Sequence, residues 1–226
     1  MENWSRIVHI SFLLLAAATS VVAFSSAALA QSVLGSSMAT GGITSQPIGH
    51  YEFCALNRSE CRRTPVAQPV GLTDATFAQL DAVNRHVNES VVAVTDAQLY
   101  NLVELWTYPT GAGDCEDFVL LKRQLLAAAG WPLSSLLITM VFQANGEGHA
   151  VLTVRTDHGD FILDNLSNEV RLWTDTPYIY IKRQSDRDAG TWVSISGSTM
   201  IAGNIAWPAA PAPAQGNPAL LGNIGG

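Results

Sequence analysis

The sequence predicts an α+β fold in which helices come first and an antiparallel sheet follows. Three observations predict it. Between Thr73 and Gly130 the apolar residues recur every three or four positions, the period of half-buried helices. From Leu136 onward the pattern becomes strand-length apolar runs and alternation, punctuated by turns at Asn145–Gly148 and Asp157–Gly159. The change falls at Gly130-Trp131-Pro132, residues that end a helix.

Ahead of these elements, residues 1–30 read as an export signal. Arg6 gives a weakly positive start, residues 7–24 are almost wholly apolar, and Ala28-Leu29-Ala30 is a small-x-small cleavage sequence. The long apolar stretch leaves an uncleaved anchor as the alternative. Cleavage is the favoured reading, with a mature chain starting near Gln31 and no stable membrane association. Residues 31–49 are rich in Ser, Gly and Thr and read as a flexible leader. Residues 197–226 are rich in Gly, Ala and Pro and read as a disordered tail. That leaves 50–196 as one domain with a substantial core. The formal net charge of −7, without a basic cluster, argues against nucleic acid and anionic membrane surfaces as partners.

The first helix enters at Thr73-Asp74 and carries Phe77, Leu80, Val83 and Val87 as its stripe. Asn84 and Asn88 share one of its faces, either solvated or placed to satisfy buried backbone. A second helix starts at the capping box Thr95-Asp96-Ala97-Gln98 and runs to Trp106. The loop Tyr108–Gly113, whose glycines permit close backbone approach, leads to Gly113-Asp114-Cys115-Glu116-Asp117-Phe118. There a third helix begins, with Phe118, Leu121, Leu125 and Ala128 buried. Asp114 suits its N-cap, and Glu116 and Asp117 suit the positive end of its dipole.

Leu136–Phe142 reads as a strand buried on both faces. Residues 149–155 alternate, with His149, Val151 and Thr153 on one face. Phe161–Leu166 is the next strand and carries Asp164. Shorter strands are expected near Val170–Trp173, Tyr178–Arg183 and Trp192–Ile195.

Cys115 is the first residue of a buried helix, where free N–H groups and the dipole favour thiolate. A small buried hydrophobe is the plainer reading. Asp114, Glu116 and Asp117 oppose ionisation of the thiol unless they are engaged in caps and salt bridges or a cation sits among them. Cys54 and Cys61, seven positions apart, pair most simply as a disulfide in an exported chain, rather than as free thiols or half of a zinc site. Cys115 is then the odd thiol. His149 and Asp164 supply a base and a carboxylate to orient it. Strand register decides whether they meet. A two-residue loop at His158-Gly159 would set Asp164 against Thr153, too far from His149. A four-residue loop, Thr156 to Gly159, sets it against Val151, with His149 a diagonal neighbour at roughly 7–8 Å. The backbone N–H of Cys115 is the first candidate oxyanion donor, with Trp106 and Asn88 as side-chain candidates.

The segments Gly-Asp-Cys-Glu-Asp-Phe at 113–118, Gly-Glu-Gly-His-Ala-Val-Leu at 146–152 and Leu-Asp-Asn-Leu at 163–166 resemble, in order and spacing, the bacterial transglutaminase-like cysteine proteinases. The resemblance covers roughly 50–195. It implies a papain/transglutaminase-like core, with Cys115 as nucleophile, His149 as general base and then acid, and Asp164 as orienter. It also implies a calcium-dependent periplasmic endopeptidase that cuts an exported or surface protein such as an adhesin, within an Ala-Ala sequence near its N-terminus. Calcium would be held by Asp114 and Glu116, with Asp117 as a third ligand. A periplasmic regulatory receptor is the implied partner. Two alternatives stay open: acyl transfer to amines through the same triad, and a non-catalytic, calcium-stabilised binding protein. For the acids, the alternative to metal binding is that Asp114 caps the helix while Glu116 and Asp117 serve its dipole.

Overall fold

The structure is a computed structural model that describes residues 36–196. The expected signal sequence at 1–30 and the tail at 197–226 lie outside the described residues. In chain order the elements are β1 (Thr40–Thr44), α1 (Ile48–Leu56), α2 (Asp74–Ser90), β2 (Val92–Ala93), α3 (Asp96–Tyr100), β3 (Ala112–Gly113) and α4 (Cys115–Ala128). The strands β4 (Leu136–Phe142), β5 (Gly148–Thr156), β6 (Gly159–Asp164), β7 (Ser167–Leu172), β8 (Ile179–Gln184) and β9 (Trp192–Ile195) follow. Seven strands make one sheet in the order β1-β9-β8-β4-β5-β6-β7, every neighbouring pair antiparallel. β2 and β3 form a small parallel pair beside it. No helix among the described residues is long and apolar enough to cross a membrane.

β4 is central, and all seven of its residues are buried, as an uninterrupted apolar run requires. One face of the sheet presents Leu136, Ile138, Met140, Ala150, Leu152, Val154 and Leu163 to Val119, Leu120 and Leu126 of α4. Each such side chain contributes about 1.5–3 kcal/mol by leaving water, so α4 is fixed against the middle of the sheet. The other face packs Val141, Val151, Ile162 and Tyr180 against Met38 and Ile195.

The elements depart from the sequence reading in four places. The leader expected over 31–49 contains β1, which pairs with β9 at the sheet edge, and the first residues of α1. The second helix stops at Tyr100 instead of running to Trp106. Its capping box forms between Thr95 and Gln98, but Asn101 takes a left-handed conformation (φ 55°) and the chain turns away. Carboxylates rather than helical carbonyls then take up the next backbone N–H groups: Leu105 donates to Asp96 and Thr107 to Asp117. Third, Phe77 of the expected buried stripe is exposed at the start of α2, while Leu80 and Val87 are buried. Fourth, of the α4 residues expected to be buried, Phe118 is buried, Leu121 and Leu125 are half-buried and Ala128 is exposed, because the helix turns Val119, Leu120 and Leu126 to the sheet.

The β5–β6 register is the one the longer loop demands. Arg155 pairs with Asp160, Thr153 with Ile162 and Leu152 with Leu163, so the next step sets Asp164 opposite Val151. A further pair, Thr156 with Gly159, closes the hairpin around Asp157-His158. Gly159 sits at φ 121°, a conformation that an L side chain rarely adopts.

Candidate active site

α4 begins at Cys115, with Asp114 in the cap position. Asp114 does not cap with its side chain. Its Oδ2 instead accepts the N–H of Asp96 at 3.3 Å, joining α3 to the start of α4. Cys115 is the free cysteine, because Cys54 and Cys61 form a disulfide. The Ala150 N–H is the one neighbour that favours the Cys115 thiolate, which sets the thiol near β5 at the residue following His149.

His149 is buried, and its Nε2 lies 2.8 Å from Asp164 Oδ1. An ionised carboxylate only accepts, so Nε2 carries the proton and Nδ1 keeps its lone pair. Asp164 is held on every side. Oδ1 also accepts the Leu166 N–H at 3.0 Å, and Oδ2 accepts from the Tyr178 hydroxyl. Its backbone N–H donates to Asn84 Oδ1 at 3.1 Å, and its carbonyl accepts from Asn88 Nδ2 at 2.9 Å. Burial alone would raise this carboxyl. The His149 bond and charge, then the Tyr178 and Leu166 donors, outweigh burial and hold it below the usual carboxylate range.

The thiol is in the opposite condition. Burial, and then the charge and hydrogen bond of Glu116 with Asp114 behind it, push its pKa well up. Its S–H donates to Glu116 Oε2 at 3.1 Å. Glu116, itself raised by burial and by the charges of Asp114 and Glu104, faces the thiol and the Asp114 carboxyl.

The acidic residues divide accordingly. Asp114 and Asp117 come together as expected, but the third member of their cluster is Asp96, and Glu116 stands beside it. One carboxylate oxygen from each of Asp96, Asp114 and Asp117 lies within 4.8 Å of the others. Each acid spends one oxygen on a backbone N–H (Leu105, Asp96 and Thr107 respectively), and each leaves a buried oxygen with no hydrogen-bond partner among the described residues. Burial and mutual repulsion raise Asp96 to about 6 and Asp117 to about 7. Three converging buried carboxylates, each with an oxygen not taken up by a hydrogen bond among the described residues, are a hard donor set that fits a cation such as Ca²⁺.

The side-chain oxyanion candidates fall elsewhere. Trp106 Nε1 donates to Glu104 Oε1 at 2.7 Å, and its ring packs edge-on against His50 and Trp192 in the core. Asn88 serves the Asp164 carbonyl, the second of the two roles its face allowed. The backbone N–H at Cys115 remains the available donor. Asp96 and Tyr178 were not singled out by sequence. Asp96 sits inside a capping box, where an acid already has a local reason to be, and Tyr178 is one aromatic at a strand start. A cavity of about 200 Å³, lined by Pro47, Ile48, Glu104, Met140 and Lys182, opens nearby. Met140 pairs with Ala150 across β4 and β5, so this cavity is one strand away from the sulfur.

The sequence profile described as bacterial transglutaminase-like cysteine proteinase BTLCP matches residues 40–200. No curated protein matches the chain. Among solved structures, Legionella pneumophila LapG in a calcium-bound form is similar at 24% identity and a TM-score of 0.45, over 66% of this chain and 81% of that one. An EGTA-treated form of the same protein is similar at 23% identity and 0.45, over 69% and 81%.

Proposed function

Since the chain belongs to the bacterial transglutaminase-like cysteine proteinases, we propose that it is an exported, calcium-dependent endopeptidase whose nucleophile, base and orienter are Cys115, His149 and Asp164. The observation that carries the assignment is the buried His149–Asp164 bond, one residue from Ala150, whose backbone N–H favours the Cys115 thiolate.

The chemistry follows from these positions. His149 Nδ1 takes the thiol proton, and Asp164 stabilises the imidazolium and holds its tautomer. The thiolate attacks the peptide carbonyl carbon, forming a C–S bond, and the carbonyl oxygen gains negative charge beside the Cys115 N–H. The C–N bond breaks as the imidazolium returns its proton to the leaving nitrogen. Water, deprotonated by His149, then attacks the thioester carbonyl and releases the acid and the Cys115 thiolate. The cavity along Met140 and Ile48 would receive a substrate side chain close to the scissile bond.

Asp96, Asp114 and Asp117 would hold the calcium, whose charge would offset the acids that oppose ionisation of the thiol. The same three side chains already tie Leu105 and Thr107 to the start of α4, so they set the geometry of the loop facing the nucleophile. The substrate is an exported or surface protein, in keeping with the adhesins implied by the family resemblance. A periplasmic receptor is the regulatory partner implied by the same resemblance.

The test is a comparison of exported proteins from cells carrying the wild-type chain and the Cys115→Ala variant, read as cleavage products by mass spectrometry. Cys115→Ala and His149→Ala are expected to abolish cleavage while remaining folded. Asp164→Asn should retain a residue of activity, because it disturbs orientation and leaves the nucleophile in place. Undiminished cleavage by Cys115→Ala would refute the assignment.

A further inference from the structure

We propose that Tyr178 is a positioning residue of this site: it fixes the rotation of the Asp164 carboxylate and, through it, the imidazole that takes the thiol proton. The proposal rests on the reading of Cys115, His149 and Asp164 given above.

The Asp164 backbone is pinned by Asn84 and Asn88 of α2, through its N–H at 3.1 Å and its carbonyl at 2.9 Å. What remains free is the rotation of the carboxylate. His149 and the Leu166 N–H engage Oδ1, and neither reaches around to Oδ2. The Tyr178 hydroxyl donates to Oδ2. With donors on both oxygens the carboxylate cannot turn without losing a charge-assisted hydrogen bond. The Tyr178 ring centre lies 5.7 Å from that of His149 at an interplanar angle of 56°, so the same side chain limits the tilt of the imidazole.

Among the described residues no other group facing Asp164 can take this place. Lys122 of α4 is felt there only as a charge, and its buried Nζ has no hydrogen-bond partner among the described residues. The Tyr180 hydroxyl is occupied by Thr176 Oγ1 at 2.8 Å. Arg171, which faces Tyr178 from β7, is paired with Glu169. Burial and the Asp164 charge keep Tyr178 a phenol, and therefore a donor, throughout the working range. A cavity of about 40 Å³ reaches this corner along Thr176 and Pro177. Water could fill the place of a deleted hydroxyl, but it would not fix the carboxylate in one orientation.

The test needs no substrate, because Cys115 is the one thiol outside the disulfide. The rate of Cys115 alkylation by iodoacetamide is measured from pH 5 to 10 in calcium-containing buffer for wild type, His149→Ala, Tyr178→Phe and the double variant, with thermal unfolding of each. His149→Ala should remove the fast reaction near neutral pH. Tyr178→Phe should slow alkylation at pH 6.5 by about tenfold, the worth of one hydrogen bond to a charged group. In the His149→Ala background, adding Tyr178→Phe should change the rate no further, because Tyr178 acts only through the imidazole. Equal rates for wild type and Tyr178→Phe, or a Tyr178→Phe slowing that persists in the His149→Ala background, would overturn the role of Tyr178. A wild-type profile insensitive to His149→Ala would overturn the thiol–imidazole pair itself, and Tyr178 with it.

Discussion

Removing calcium should make this protein lose stability as the pH rises, the reverse of ordinary acid denaturation. The perturbation is transfer of wild-type protein into metal-stripped buffer. Asp96, Asp114 and Asp117 then have no cation, and their oxygens remain within 4.8 Å of one another. Burial first, and then the neighbouring Asp114 charge, lift Asp96 from its ordinary 3.8 to about 6. Burial, with Asp114 and Asp96 adding to it, lifts Asp117 to about 7. A carboxyl raised in the folded state costs nothing below the unfolded value, where both states hold the proton. The cost grows as the pH climbs and is complete above the folded value. At 1.36 kcal/mol per pH unit the two acids together would cost about 7 kcal/mol at pH 8, and screening by water at the mouth of the site brings this nearer 4 kcal/mol. For a domain of this size that is a fall in melting temperature of about 10 °C. The assay is thermal unfolding from pH 4 to 8, with and without added calcium, read as the difference between the two samples so that all other titrating groups cancel. The gap should be close to zero at pH 4, open between pH 5 and 7, and reach its full size by pH 8. A gap independent of pH, or none at pH 8, would refute the assignment of these three carboxylates as the cation site.

Two further outcomes test the surroundings of the site. A methyl group on Gly113 would meet Asp117 Cβ at 2.7 Å, so Gly113→Ala must displace that carboxylate; calorimetry should show weaker calcium binding and unfolding a loss of about 1–3 kcal/mol, whereas unchanged calcium affinity would count against Asp117 as a ligand. Lys122 is fully buried with its pKa lowered by burial from 10.5 to about 7, so the folded state pays its full penalty below pH 7 and none above 10.5; Lys122→Met should raise stability by about 2 kcal/mol at pH 6 and by less at pH 9.5, and a loss at pH 6 would show that the ammonium is needed beside Asp164.

Those features were legible in the sequence that depend on local pattern. β4 and β9 have the limits that their apolar runs set, and α4 starts at Cys115 as its first-turn acids suggest, although Asp114 does not cap it with its side chain and the buried side is turned from the expected stripe toward Val119, Leu120 and Leu126. The His149–Asp164 pairing was legible as a condition: one register lets the two meet, and that register is the one the β5–β6 hairpin adopts. β1 was hidden because Thr-Gly-Gly-Ile-Thr has the composition of a linker and becomes a strand only by borrowing hydrogen bonds from β9. The second helix was overextended because Leu102, Val103 and Trp106 continue a helical period. The decisive events, Asp96 and Asp117 accepting loop N–H groups, are contacts between residues nine and ten positions apart, respectively, that no periodicity records. The same contacts made Asp96 look like a helix-start acid and concealed its place among the buried carboxylates. Tyr178 reaches Asp164 from the residue before β8, a strand that pairs with β4 and not with β6, so its position follows from sheet order and not from local pattern.

Sheet order also explains why α4 can begin among acids and still be held firmly. Residues Glu104–Thr107 run between two supports. On one side Asp96 and Asp117 take the N–H groups of Leu105 and Thr107. On the other, the Trp106 ring packs edge-on against His50 and Trp192, with ring centres 5.2 and 6.5 Å away. His50 belongs to α1, which the Cys54–Cys61 disulfide ties to the following loop, and its Nδ1 accepts the Trp192 Nε1–H at 3.1 Å. Burial keeps that histidine neutral, at about 3, so it remains an acceptor at any pH where the enzyme works. The loop is therefore anchored to α1 and β9 by apolar packing that does not depend on a cation, and to α3 and α4 by carboxylates that repel one another without one. A cation at the three acids would change only the second support. Its loss should loosen the start of α4 and the thiol, while the sheet that carries His149 and Asp164 keeps its register.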